Sequence, residues 1–233
     1  MLDLAIGSPG VYDVGFLQPF VDALPPAEHP GAMVLIFNLV QISRLVDDFG
    51  AAVALLDYVE KSAADVNAVS PGTSKPIEIA RVVHVLRLWN GMAGRDAAMT
   101  VFHFGKTLAA IRSGLNSLPS IIDDVEHTRL RAAAKRFRQD FPNFEKTRNG
   151  TGHRAELTAS VNSLSEHLAG GEFIFDGLED RTYTITYEGS HRTLVIDHQT
   201  RGNLAETANE VFAAFPKISA NLPPLNLSKA SPN

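Results

Sequence analysis

The chain has 233 residues, 45% of them apolar and 20% charged, a balance that suits a folded globular protein and excludes wholesale disorder. Its formal net charge of −5 excludes a protein that coats nucleic acid indiscriminately. Cysteine is absent, and with it any disulfide framework, thiolate zinc site or cysteine nucleophile.

Residues 1–30 carry Gly7, Pro9, Gly10, Pro19, Pro25, Pro26 and Pro30, a density that breaks long helices. They read as an irregular arm in which Phe16, Leu17, Phe20, Val21 and Leu24 form one short helix. No signal-peptide pattern opens the sequence, and the apolar stretch Ala32 to Val40 is too short to cross a bilayer. A cytoplasmic soluble protein with no membrane partner is therefore expected. From Ala32 to about Val66 apolar residues recur at helical spacing, with Gly50 the expected interruption, and the loop Ser70 to Ser74 follows. Ser74 and Pro76 then open a long helix over roughly 76–112. Its face is marked by Ile79, Val83, Leu86, Ala93, Ala97, Val101, Phe104, Leu108 and Ile111, and Gly91 or Gly94 is a candidate bend. Asp96 and His103 are seven residues apart and flank that stripe, where they could support a groove.

A turn at Asn116 to Ser120 leads into a helix over about 121–140, with Asp123, Asp124 and Glu126 in its first turns, where the helix dipole favours anions. Asp124 and His127 have the spacing of half a di-metal site, but no second pair accompanies them. We therefore assign no metal and no cofactor. Between Arg129 and Arg154 lie Arg129, Arg131, Lys135, Arg136, Arg138, Lys146, Arg148 and Arg154 against two acids, Asp140 and Glu145, a local excess of +6 in an acidic chain.

At the end of this basic segment stands Arg148-Asn149-Gly150-Thr151-Gly152-His153. In an unbroken helix Arg148 and His153 lie about 7.5 Å apart along the axis and about 140° apart around it. The two glycines suggest a turn that lets them converge. Leu157, Val161, Leu164 and Leu168 then mark a helix over about 153–169, whose inward stripe His153 extends, and Gly170-Gly171 ends it. Beyond this the period changes. Tyr183, Ile185 and Tyr187 alternate with threonines, and Glu188-Gly189-Ser190 turns into Thr193 to Asp197, a β-hairpin within 172–198 with Phe173 to Phe175 as a third strand. A last helix covers about 203–215, and 217–233 read as a loose tail.

Arg148 offers a planar, permanently charged fork for phosphate oxygens, and His153 a proton donor or acceptor near neutral pH. A second match, Arg192 to His198, falls in the expected strand, where six residues span about 20 Å, so it cannot address one phosphate. Arg148, Asn149 and His153 resemble the Arg-polar-x3-His signature of the HEPN superfamily, and the helices over 76–169 resemble its core. The fold class expected is mainly α, a HEPN-like helical bundle over 31–216 with a small β-hairpin insertion before the last helix. The resemblance implies RNA binding, for which Arg131, Lys135, Arg138, Lys146 and Arg154 of the adjacent +6 segment are the candidates. It further implies metal-independent endoribonuclease chemistry at Arg148, Asn149 and His153, a homodimer, and a defence or toxin–antitoxin setting with an antitoxin partner. Ala155 stands where toxins regulated by nucleotide transfer carry tyrosine. The other reading is a non-catalytic helical dimerisation or interaction module, with Arg148 paired to a carboxylate and His153 packed in the bundle.

Overall fold

The computed structural model describes residues 17–68 and 76–219. The chain is mainly helical, with a small antiparallel three-stranded sheet before the last helices. The arm before Leu17, the loop Ser70 to Ser74 and the tail after Ser219 lie outside the described residues. The order is α1 (Gln18–Asp22), α2 (His29–Ala68), α3 (Pro76–Gly114), α4 (Pro119–Ile122), α5 (His127–Asp140), α6 (Phe144–Gly152), α7 (Arg154–Leu157), α8 (Val161–His167), β1 (Gly177–Glu179), β2 (Thr182–Tyr187), β3 (Ser190–Val195), α9 (His198–Ala213) and α10 (Pro216–Ser219). Contacts divide the chain into two compact units, and α2 and α3 contribute to both.

The first unit gathers the beginning of α2, the end of α3, α4, α5, α9 and α10 with α1. Its core is built on Leu35, Leu39 and Ile42 of α2, Phe104, Leu108 and Ile111 of α3, and Leu204, Ala208 and Val211 of α9, all buried. Phe137 of α5 stacks on Phe104 at 5.4 Å and meets Phe141 at 5.2 Å. The short first helix forms as expected, and its Val21 and the capping Leu17 are buried. Arg129 and Arg136 of α5 pair with Glu210 and Glu206 of α9. The helix expected over 121–140 is instead broken at 123–126. There the Glu126 amide donates to the Ala214 carbonyl at 3.0 Å rather than to the helix ladder. The acids of this turn thus precede α5 instead of lying in its first turns. Lys217, placed in the tail by sequence, belongs to α10 and pairs with Asp124.

The second unit gathers the end of α2, the beginning of α3, α6 to α8 and the sheet. The sheet has the order β1-β2-β3, with β2 paired from Thr182↔Val195 to Tyr187↔Ser190. Two-residue loops close both hairpins, Asp180-Arg181 and Glu188-Gly189, each with positive φ at both positions, the backbone that matches strand twist. Arg181 reaches from the first of these to Asp57 and Glu60 of α2, each at 2.5 Å. The third strand is real but lies at Gly177–Glu179, not at Phe173 to Phe175. Ile174 still exchanges bonds with Thr186, through its carbonyl at 3.0 Å and its amide at 2.8 Å. The strand expected to run to Asp197 stops at Val195 because Asp197 accepts from the Thr200 amide at 2.7 Å and caps α9. His198 consequently opens a helix and does not share a strand with Arg192.

Three further expectations fail for local reasons. Gly50 does not interrupt α2, which runs 40 residues. The stripe of α3 is buried from Leu86 onward, while Ile79 is exposed and Val83 half-buried. The helix expected over 153–169 is two short ones, α7 and α8. Between them Ser160 is extended and its hydroxyl accepts from the Ser163 amide at 3.0 Å, so a side chain competes with the ladder. Val161 is accordingly 84% exposed, and only Leu157 of that stripe is buried.

Candidate functional site

The motif is helical. α6 continues through Gly150, Thr151 and Gly152, and the His153 amide still donates to the Asn149 carbonyl at 3.0 Å. The glycines therefore do not make the expected turn; they allow close packing. A Cβ on Gly150 would stand 3.2 Å from both Ile185 and Tyr187 of β2, and the nearest atoms to a Cβ on Gly152 belong to the Arg148 guanidinium. Thr151, between them, is buried and lies 3.1 Å from the Tyr183 hydroxyl, which donates to Asp176 at 2.6 Å. Asp176 also receives Arg95 at 2.9 Å. This buried polar chain fixes α6 against β2 and α3, and so fixes the residues on either side of it.

The chain leaves helical geometry only at His153, with φ −103° and ψ 33°, which caps α6 and begins α7. The convergence is made by the side chains and not by a turn between the two residues. Arg148 folds back over Gly152, and its Nη1 comes within 3.0 Å of His153 Nε2. Its guanidinium lies 5.0 Å from the centre of the Phe102 ring of α3, a cation–π contact. Asn149 Oδ1 accepts from Arg148 Nη1 at a long 3.4 Å. On the far side of the imidazole, His153 Nδ1 lies 2.6 Å from Glu156 Oε2. His153 is 42% exposed and Glu156 73%, so the imidazole is not the inward-packed residue that the sequence pattern suggested. None of the hydrogen bonds or ion pairs of Arg148 among the described residues is to a carboxylate.

The two nitrogens of His153 can be told apart from this geometry. A guanidinium has only donors, so Nε2 must accept from Arg148. The proton of the neutral ring then sits on Nδ1, facing a carboxylate that can only accept. The site is a row of Phe102, Arg148, His153 and Glu156, in which a charge for an anion and a base with an assigned lone pair are adjacent. Sequence reading missed Phe102 and Glu156. Glu156 carried a local signal, three residues past the histidine on a helix, whereas Phe102 could be found only through the tertiary contact.

The other candidate residues are placed differently. Arg131, Lys135 and Arg138 are exposed on α5, and none forms an ion pair among the described residues; Arg131 donates to Thr128. Lys146 pairs with Glu188 at 2.9 Å, and its ammonium holds that carboxyl below its ordinary range. The side chain of Arg154 lies outside the described residues. Asp96 and His103 are exposed on α3, and Asp96 makes no hydrogen bond or ion pair with Arg148 or His153. Asp124 and His127 turn to different partners, Lys217 and the Ile122 carbonyl. No group of three or more potential metal ligands occurs among the described residues. No described helix is long and apolar enough to cross a membrane.

No protein-family model matches the chain, and neither does any curated protein or solved structure.

Proposed function

We propose that the protein is a HEPN-like RNA-binding protein that cleaves RNA without a metal, with Arg148 and His153 at the reacting phosphate. The observation that carries this reading is the 3.0 Å approach of Arg148 Nη1 to His153 Nε2 at a partly exposed position. His153 Nε2 accepts the proton of a ribose 2′-hydroxyl as its oxygen bonds to the adjacent phosphorus. The bond from phosphorus to the 5′-oxygen breaks, and that oxygen takes a proton from water. The imidazolium then returns its proton to the hydroxide, leaving a 2′,3′-cyclic phosphate and a 5′-hydroxyl. Arg148 stabilises the charge on the phosphorane oxygens, and Asn149 supports its guanidinium. The exposed Arg131, Lys135 and Arg138 supply backbone contacts for the RNA, together with Lys146 once it leaves Glu188, and Arg154. A homodimer that brings two such sites together, and an antitoxin partner in a defence setting, belong to the same proposal.

A non-catalytic helical module calls for a packed histidine and a carboxylate-paired arginine, and the exposure of His153 and the contacts of Arg148 weigh against both. The deciding assay is RNA cleavage in EDTA by wild type, Arg148→Ala and His153→Ala. We expect cleavage by wild type and a loss of about 10²–10⁴-fold in His153→Ala, the usual range for a general base. No cleavage by wild type, or equal cleavage by His153→Ala, removes the catalytic reading.

A further inference from the structure

The contacts of Arg148 and His153 describe a particular resting state. Nε2, the nitrogen a general base would use, is not open: its lone pair accepts from Arg148 Nη1 at 3.0 Å. Nδ1 is held by Glu156 at 2.6 Å. The guanidinium is meanwhile only half engaged, because its Nε is buried and makes no hydrogen bond. An unpaired buried donor is unfavourable, and a fork satisfied at one prong is poised for an acceptor with two oxygens.

We propose that Glu156 is a positioning residue that fixes His153 in its Nδ1–H tautomer, and that Arg148 caps the freed Nε2 until a phosphate oxyanion draws the guanidinium away. The base is thereby given the correct tautomer in advance and uncovered only when an anion is present. Free imidazole of this kind on a surface would otherwise be open to any electrophile or cation. Only the identity of the anion, an RNA phosphodiester, rests on the function proposed above; the tautomer and the cap do not.

The test uses the RNA-free protein. Nitrogen-15 NMR of His153 is expected to report the Nδ1–H tautomer in wild type. Glu156→Ala should admit the Nε2–H tautomer as a second population, and Glu156→Gln, whose side-chain carbonyl still accepts from Nδ1–H, should restore the single one. Glu156 is 73% exposed, so neither change threatens folding. Reactivity of Nε2 is read by carbethoxylation with diethyl pyrocarbonate and mass spectrometry. Arg148→Met, which keeps an unbranched side chain over Gly152, should raise the rate about tenfold, as expected for loss of one charge-assisted hydrogen bond. Inorganic phosphate should raise the wild-type rate toward that of Arg148→Met and leave the variant unchanged. A wild-type Nε2–H tautomer, a tautomer indifferent to Glu156→Ala, or rates indifferent to Arg148→Met or to phosphate would overturn the proposal. A protein that passes these measurements yet cleaves no RNA loses only the catalytic reading. One that cleaves RNA through His153 but fails them loses only this one.

Discussion

Gly94 of α3 lies directly under the ring of Tyr183: a Cβ on that glycine would stand 2.4 Å from Tyr183 Cδ2 and 2.9 Å from Cε2. The ring is fully buried, and its hydroxyl is tied to Asp176 and Thr151, so it cannot move aside without breaking that chain. Gly94→Ala is therefore expected to destabilise the protein by at least about 1–3 kcal/mol from overpacking, despite the usual helix-propensity gain of about 0.5–1 kcal/mol. Gly91, in the same helix, would bring a Cβ to 3.1 Å from Arg95 Nη1, the far end of a long side chain bonded to Asp176, and Gly91→Ala should be less destabilising than Gly94→Ala. Urea denaturation of the two variants compares them directly, and equal stabilities would refute the assignment of Gly94 to close packing.

The motif glycines are expected to part company in the same way. A Cβ on Gly152 meets Arg148 no closer than 3.5 Å, and the position is helical. Gly152→Ala should be at least as stable as wild type. At Gly150 the neighbours are the buried Ile185 and the half-buried Tyr187, both at 3.2 Å, and Gly150→Ala should be less stable than Gly152→Ala by about 1 kcal/mol. If both alanines destabilise equally in thermal or urea melts, the glycines serve backbone flexibility after all.

These glycines mark the limit of what the sequence shows about the site. Helical periodicity made α2 and α3 legible because each buries a stripe long enough to average out exceptions. Alternation did the same for β2. A glycine pair, however, reads alike whether it frees the backbone or admits a neighbour, and only β2 lying against Gly150 distinguishes the two. The convergence of Arg148 and His153 was anticipated, but its cause was not: the backbone between them stays helical, and the Arg148 side chain folds back over Gly152. The break in the following helix was hidden because the stripe at Val161, Leu164 and Leu168 is apolar without being deeply buried, and Ser160 decides the backbone locally. Phe102 was beyond reach, since nothing in local spacing links α3 to α6.

Asp96 gives a prediction in pH. Although its side chain reaches the surface of α3, burial of its carboxyl raises its pKa above the ordinary 3.8. Between the unfolded and folded values the native state binds more protons than the unfolded one, so stability falls as pH rises through that interval. Above the folded value the ionised carboxylate is a standing penalty; below the unfolded value it vanishes. Asp96→Asn should therefore be more stable than wild type at pH 7 and indistinguishable from it near pH 3. Denaturation midpoints at the two pH values check this, and an advantage of equal size at both would show that burial of the charge is not its source.

Phe102 carries the last prediction. Its ring lies 5.0 Å from the Arg148 guanidinium and 6.4 Å from the Phe144 ring, so it sets where the cation rests without touching His153 in any contact described. Leucine at this position keeps an apolar surface but loses the π face, and a cation–π contact of this kind is worth about 0.5–2 kcal/mol. In Phe102→Leu, Arg148 is held less firmly both on Nε2 and at its phosphate-binding position. Carbethoxylation of His153 should accelerate, by less than in Arg148→Met, while RNA cleavage in EDTA falls several-fold with the pH profile unchanged, because the base and its Glu156 partner are intact. A slower modification, or a cleavage loss as large as that of His153→Ala, would mean that Phe102 acts on the imidazole or on folding and not through Arg148.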